Sequence, residues 1–136
     1  LADLRAAVTG MRSTTLAAEL AGARAALSSA GLQHDVRVSA GALPPPVENA
    51  LAYVLREAVT NVVRHADASR VTIDLARDGA EARLEVRDDG RGSPSAEGNG
   101  IAGMRLRLVP LGGRLEMDGR DGTRVVARVP VGGALP

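Results

Sequence analysis

The sequence predicts a two-layer α/β sandwich, with a mixed, mostly antiparallel sheet covered by helices on one face. Three observations carry that expectation. The stretch Ala50 to Ala66, ALAYVLREAVTNVVRHA, extends an apolar pattern that begins at Val47. Val47, Ala50, Leu51, Val54, Leu55, Ala58, Val59, Val62, Val63 and Ala66 recur at the i, i+3, i+4, i+7 spacing of a helix burying one broad face. Arg70 to Ala76 (RVTIDLA) and Glu81 to Arg87 (EARLEVR) alternate with period two around Asp78-Gly79, a hairpin signal. Arg114 to Met117 and Thr123 to Val129 read as a second strand pair, joined by a turn at Asp118 to Gly122. A helix in a strand context followed by hairpins packs as one sheet under a helical layer.

The other elements follow in order. Leu1 to Gly10 reads as a helix tail ending at glycine. Leu16 to Ala30 puts Leu16, Leu20, Ala23 and Leu27 on one face, with Gly31 as a C-terminal stop. Asp35 to Ser39 alternates as a short strand. Pro44-Pro45-Pro46 cannot continue that strand, but its last proline suits the first turn of the long helix, which should end between Ala66 and Ser69. Asp88 to Gly100 carries no hydrophobic period, Ile101 to Val109 forms a short helix, and Val131 to Pro136 is a frayed tail.

Composition bounds the chemistry. A chain of 136 residues is one domain's worth, with 45% apolar and 24% charged residues. One Tyr with no Phe or Trp leaves no stacking platform for single-stranded nucleic acid, and a net charge of +1 argues against electrostatic nucleic-acid binding. The absence of Cys excludes disulfides, thiolate metal sites and cysteine nucleophiles. No apolar run approaches the roughly 18 residues of a membrane span, and no signal peptide is visible. The start at Leu1, inside a helical pattern and without Met, suggests a piece of a longer protein.

Residues able to do chemistry gather at two places. On the long helix, Glu57 and Asn61 lie about 40° apart on one flank of the apolar stripe, with Arg64 and His65 one turn later. By itself that is a solvated flank with i, i+4 pairs. After the second hairpin strand comes Asp88-Asp89-Gly90-Arg91-Gly92, where glycines admit a ligand to the backbone and a strand-end carboxylate can accept from an exocyclic amine. Gly98-Asn99-Gly100-Ile101-Ala102-Gly103 satisfies GxGxxG, but its first glycine lies in a polar loop rather than after a strand, which rejects a dinucleotide-binding βαβ unit. The loop amides and the following helix terminus still favour a phosphate.

Glu57-x-x-x-Asn61, DxGxG, GxGxxG and Gly122-Thr123 before a final strand together resemble the four-box ATP site of the GHKL superfamily. That superfamily includes gyrases, histidine kinases and MutL proteins, and its fold is the Bergerat α/β sandwich. The strings LREAVTNVVRHA, DDGRG, GNGIAGMRLRL and LGGRLEMDGRDGTRVVARVP are similar to NarL-type sensor histidine kinases, and LRAAVTGMRSTTLAAEL to the DesK-like subgroup. The resemblance implies that residues 1–14 end a dimerising phosphoacceptor helix and its linker, that 15–131 form the ATP-binding catalytic domain, and that 132–136 are a tail.

The resemblance also implies roles. Asn61 would coordinate Mg2+, and Glu57, the catalytic residue, would orient a metal-bound water or act as a base. Arg64 and His65 match positions that contact phosphates. Asp88 would accept from the adenine amino group, supported by Thr123 through a water, with Gly90 and Gly92 letting adenine approach. Gly98, Gly100 and Gly103 would form the lid, and Ile101 and Met104 on its helix complete the nucleotide-binding set. Nothing in Asp89 to Gly100 can bury enough surface to offset the entropy of ordering it, so triphosphate is expected to order that loop.

Expected partners are the protein's own phosphoacceptor domain, a cognate response regulator reached through it, and a second copy in a homodimer. Nucleic acid and direct membrane contact are not expected, and the domain should be cytoplasmic even if its parent is membrane-anchored. Three features depart from the subgroup. Leu106 replaces the Glu of GMRER, which should weaken a lid or helix contact; the lid is short; and no phosphoacceptor motif is present. His34-Asp35 matches its letters but lies at a turn into a strand, so His34 reads as a surface histidine, and Arg105 and Arg107 read as a solvated helix face. Two rival functions remain at this stage: an anti-sigma-factor serine kinase of the same superfamily, and a non-catalytic nucleotide-binding regulatory module.

Overall fold

Residues 15–65, 67–91 and 99–132 are described by a computed structural model. The expectations for Leu1 to Gly10, the 1–14 boundary, Ala66, Gly92, Gly98, most of the loop before Gly98 and the last four residues lie outside them. The chain opens on a helix, α1 (Leu16–Ser29). Thr15 caps it by accepting from the Ala18 amide at 3.0 Å. Gly31 ends it at φ +78°, the left-handed conformation a C-terminal stop requires, while the Leu32 amide donates to the Leu27 carbonyl. Leu16, Leu20, Ala23 and Leu27 are the buried face, as their spacing predicts.

Strand β1 (Gln33–Val38) follows, then helix α2 (Pro45–His65), whose first two residues are prolines. These sit where amides have no helical partner, so their missing donors cost nothing. Along α2, Val47, Ala50, Leu51, Val54, Leu55, Ala58, Val59 and Val62 are buried. Val63 is 43% exposed, which removes it from the predicted face, and Ala52 is buried instead. Asp67 carries the chain out of the helix at φ +51°.

Strands β2 (Arg70–Asp78) and β3 (Glu81–Asp88) form the predicted hairpin, with Asp78 opposite Glu81 across a two-residue loop. Gly79, at φ +62°, is the first loop residue, as a type II′ turn demands. Helix α3 (Asn99–Leu108), a 3-10 turn (Val109–Leu111), β4 (Arg114–Asp118) and β5 (Arg124–Pro130) complete the chain. The five strands lie in the order β1-β2-β3-β5-β4. β1 runs parallel to β2, an arrangement that needs a crossover, and α2 supplies it. Every other pair is antiparallel.

The inner face of the sheet carries Val71, Ile73, Leu75, Ala82, Leu84, Val86, Leu115, Val125, Ala127 and Val129, all buried in one core with the helices. The outer face is closed differently. Arg83 reaches Asp74 and Glu85 at 3.5 and 3.1 Å, Arg124 reaches Glu85 at 2.9 Å, and Arg128 reaches Glu116 at 3.6 Å. Val126 points to that face yet is 1% exposed. Its cross-strand neighbours are Glu85 and Glu116, and Arg124 and Arg128 flank it along the strand, so long charged side chains cover an apolar one.

Candidate functional site

Asp88 is, among the described residues, the only polar or charged side chain that is buried, at 3% exposure. A carboxylate taken out of water needs donors, and the sequence supplies them from the backbone. Asp88 Oδ1 accepts from the Gly90 amide at 2.8 Å and from the Thr123 amide at 3.3 Å. The Asp88 amide in turn donates to the Thr123 carbonyl at 2.9 Å. These contacts tie the end of β3 to the start of β5. Oδ2 takes no hydrogen bond from a described residue, so one oxygen of a fixed carboxylate is left to accept from a ligand.

Gly122 makes that clamp possible. Its φ is +76°, and a Cβ at this position would run into the Asp88 carbonyl oxygen and stand 3.0 Å from its carbon. Thr123 meets Asp88 here through its backbone amide. Asp89, next in the motif, faces the other way. Its Oδ1 accepts from the amides of Ser69 and Arg70 at 2.8 and 2.9 Å, and the Ser69 hydroxyl donates to Oδ2 at 3.2 Å. The Arg70 and Ser69 amides hold the Asp89 carboxyl below its ordinary value. Asp89 thus fastens the entry of β2 to the exit of β3.

The second cluster lies between α2 and α3. Glu57 and Asn61 are half-buried, and α3 approaches them at Gly100. A Cβ on Gly100 would stand 3.0 Å from Glu57 Oε1 and 3.9 Å from Asn61 Nδ2. One helical turn further, a Cβ on Gly103 would stand 2.5 Å from the Tyr53 hydroxyl. The Arg107 guanidinium lies over the Tyr53 ring, 4.3 Å from its centroid. A flank of α2 read as Tyr53, Glu57, Asn61 thus meets a line of α3 read as Arg107, Gly103, Gly100.

Several sequence expectations change. Tyr53 was visible only as the chain's single aromatic, and Arg107 as a solvated cation; the stacking joins them. Its signal was the i−4 position before Glu57. Ile101 and Met104 have side chains in the core, at 5% and 0% exposure, so they anchor α3 rather than line an open site. Leu106 is 73% exposed, and the contact its substitution was expected to weaken is not made among the described residues. His34 belongs to β1, opposite Val71, is half-buried, and places Nδ1 3.3 Å from the Leu32 carbonyl oxygen. It lies within the edge strand and not at a turn into it. Arg64 is exposed in the last turn of α2; the side chain of His65 lies outside the described residues.

The donor set suits a shared cation. Among the described residues no three His, Asp or Glu side chains converge as a cage.

Comparison with known proteins identifies the family to which this fold belongs. The chain is 30% identical over 135 residues to the sensor histidine kinase YvfT of Bacillus subtilis, covering 96% of this chain and 36% of that protein. It is 38% identical over 87 residues to the sensor histidine kinase DesK of Bacillus subtilis, covering 61% of this chain and 24% of that one. The chain therefore spans only about a quarter to a third of these relatives. Among solved structures, the histidine kinase domain of the Erythrobacter litoralis EL346 blue-light activated histidine kinase superposes with a TM-score of 0.74 at 25% identity, covering 86% of this chain and 61% of that one. Residues 47–133 match the family described as histidine kinase-, DNA gyrase B- and HSP90-like ATPase, and the chain belongs to that family as the ATP-binding catalytic domain of a sensor histidine kinase.

Proposed function

We propose that in the intact protein this domain transfers the γ-phosphoryl of Mg2+-ATP to a histidine on a dimerisation domain outside this sequence. The observation that carries the reading is Gly100, at the first turn of α3, standing against Glu57 and Asn61. Helix-terminal amides favour anionic oxygens, and a carboxamide beside them can hold a cation on the same phosphates. Magnesium, when held by Asn61, would offset the charge of those phosphates.

The protein's own residues then position. Asp88 Oδ2 accepts from the adenine amine, Gly90 and Gly92 admit the ring, and Arg64 and His65 contact the phosphates. Gly98, Gly100 and Gly103 shape the lid, with the Ile101 and Met104 backbones at its base. The acceptor imidazole nitrogen attacks the γ-phosphorus, the bond to the β–γ bridging oxygen breaks, and ADP leaves with that electron pair. Glu57 takes the imidazole proton or, with the metal bound, would orient one of its waters. Rate enhancement comes from holding the groups in line and from fixed charge. The phosphoryl group would pass on to a cognate response regulator, in a homodimeric parent whose catalytic domain faces the cytoplasm. Among the described residues no helix is long and apolar enough to cross a membrane.

The test is Asn61→Ala in the full-length kinase with radiolabelled ATP. Histidine labelling should fall to background while thermal unfolding stays at the parental temperature. Labelling at the parental rate would remove Asn61 as the metal ligand.

A further inference from the structure

The core contacts of α3 are apolar. Ile101, Met104 and Leu108 are buried, and apolar burial is non-directional, so a helix held by it alone can slide along its neighbour. The directional contacts are elsewhere. Tyr53, Glu57 and Asn61 repeat every four residues on α2, a line about 12 Å long. Gly100, Gly103 and Arg107 form an antiparallel line on α3 about 10.5 Å long. At one end of these lines Gly100 meets Glu57 and Asn61, and at the other Arg107 covers the Tyr53 ring while Gly103 abuts its hydroxyl.

We propose that Tyr53 is a positioning residue for the triphosphate: with Arg107 and Gly103 it sets the register of α3 along α2, and so holds the Gly100 end beside Glu57 and Asn61. The ring offers its face to a guanidinium, an electrostatic contact with a preferred geometry, and its hydroxyl fills the space that the missing Gly103 side chain leaves. Both contacts change geometry if α3 slides along α2. Tyr53 touches no nucleotide; it acts through α3. The inference rests on the reading that α3 faces the phosphates.

The experiment is calorimetric titration of this 136-residue chain with Mg2+ and either ADP or the non-hydrolysable analogue AMP-PNP. Tyr53→Leu should weaken AMP-PNP about two- to five-fold, the worth of an exposed cation–π contact, and weaken ADP less. Arg107→Gln should reproduce that pattern, and Tyr53→Phe, which keeps the ring under Arg107, should restore most of the AMP-PNP affinity. Equal losses for both nucleotides in Tyr53→Leu, or no loss, would overturn the proposal, since general loosening moves both alike. Should Tyr53→Leu fail to fold, Arg107→Gln decides the matter by the same ratio. Asp88→Asn is the control for the underlying reading: if it binds both nucleotides like the parent, or if the parent binds neither, the nucleotide site itself is wrong.

Discussion

Gly122→Ala is the substitution whose cost can be worked most directly from the structure. The added methyl would overlap the Asp88 carbonyl oxygen and press on the Asp88 carbon and Asp89 Cα at 3.0 and 3.2 Å. All three are backbone atoms, so no side chain can swing aside, and the turn between β4 and β5 must move. An L-residue in the left-handed region costs about 1–2 kcal/mol. Moving the turn breaks the backbone bond from Asp88 to Thr123 and the Thr123 donation to Oδ1, each worth about 1 kcal/mol. The expected loss is about 3–4 kcal/mol, a large share of the roughly 5–15 kcal/mol that hold an ordinary domain together. Urea unfolding of parent and variant measures it, and nucleotide affinity should fall with it because Asp88 loses one of its two donors. Gly122→Asn separates the two causes. Asn tolerates the left-handed region but still carries a Cβ, so it should be nearly as damaging as Ala. A stability change under about 1 kcal/mol for Ala, or full rescue by Asn, would refute the steric account.

Asp89→Ala should change the acid limb of stability. The folded-state carboxyl titrates below its ordinary value of 3.8, so its contribution is present above that pH and is lost as pH falls through the lower folded-state value. The parent should therefore lose stability more steeply than Asp89→Ala as pH falls through and below 3.8, as read by thermal unfolding on the acid side of that value; parallel curves would show that the Ser69 and Arg70 bonds contribute nothing. Leu106→Glu, which restores the residue usual in the DesK-like subgroup, should shift stability by less than about 0.5 kcal/mol, because a side chain 73% exposed has little packing to lose; a larger change in urea midpoint would mean Leu106 is covered in solution.

What was legible in the sequence is what depends on local periodicity. The buried face of α1 was readable residue by residue, because each turn of a helix repeats the same demand. The α2 face was readable except at Val63, near the end of the helix, where the spacing continues but the burial does not. His34 was misplaced for a different reason. β1 begins at Gln33 because it pairs with Arg70 of β2, a parallel partner 37 residues away, and no neighbouring residue announces that register. Motifs behaved the same way. Asp88 with its glycines was visible because the pattern is contiguous, whereas the use of Gly122 against the Asp88 carbonyl and the stacking of Arg107 on Tyr53 are meetings between distant segments.

The two halves of the site are held by different kinds of force, and that difference bears on how the domain would work. At the end of β3, Asp88 is fixed by hydrogen bonds from backbone amides in a loop and a strand start, with Asp89 fastening the same segment to β2. Such contacts lose little entropy on ligand binding, because the groups are already ordered, so recognition there is pre-organised. Along α3, the contacts with the rest of the domain are apolar burial, one aromatic–guanidinium contact and two close approaches at glycines. Glycines at positions 100 and 103 let the helices come close but contribute no side chain to lock them together. Nucleotide affinity should then be governed by the Asp88 end, and discrimination by the number of phosphates by the α3 end. On the proposed reading, a domain built this way would hold the base in one place while the element over the phosphates adjusts between turnovers.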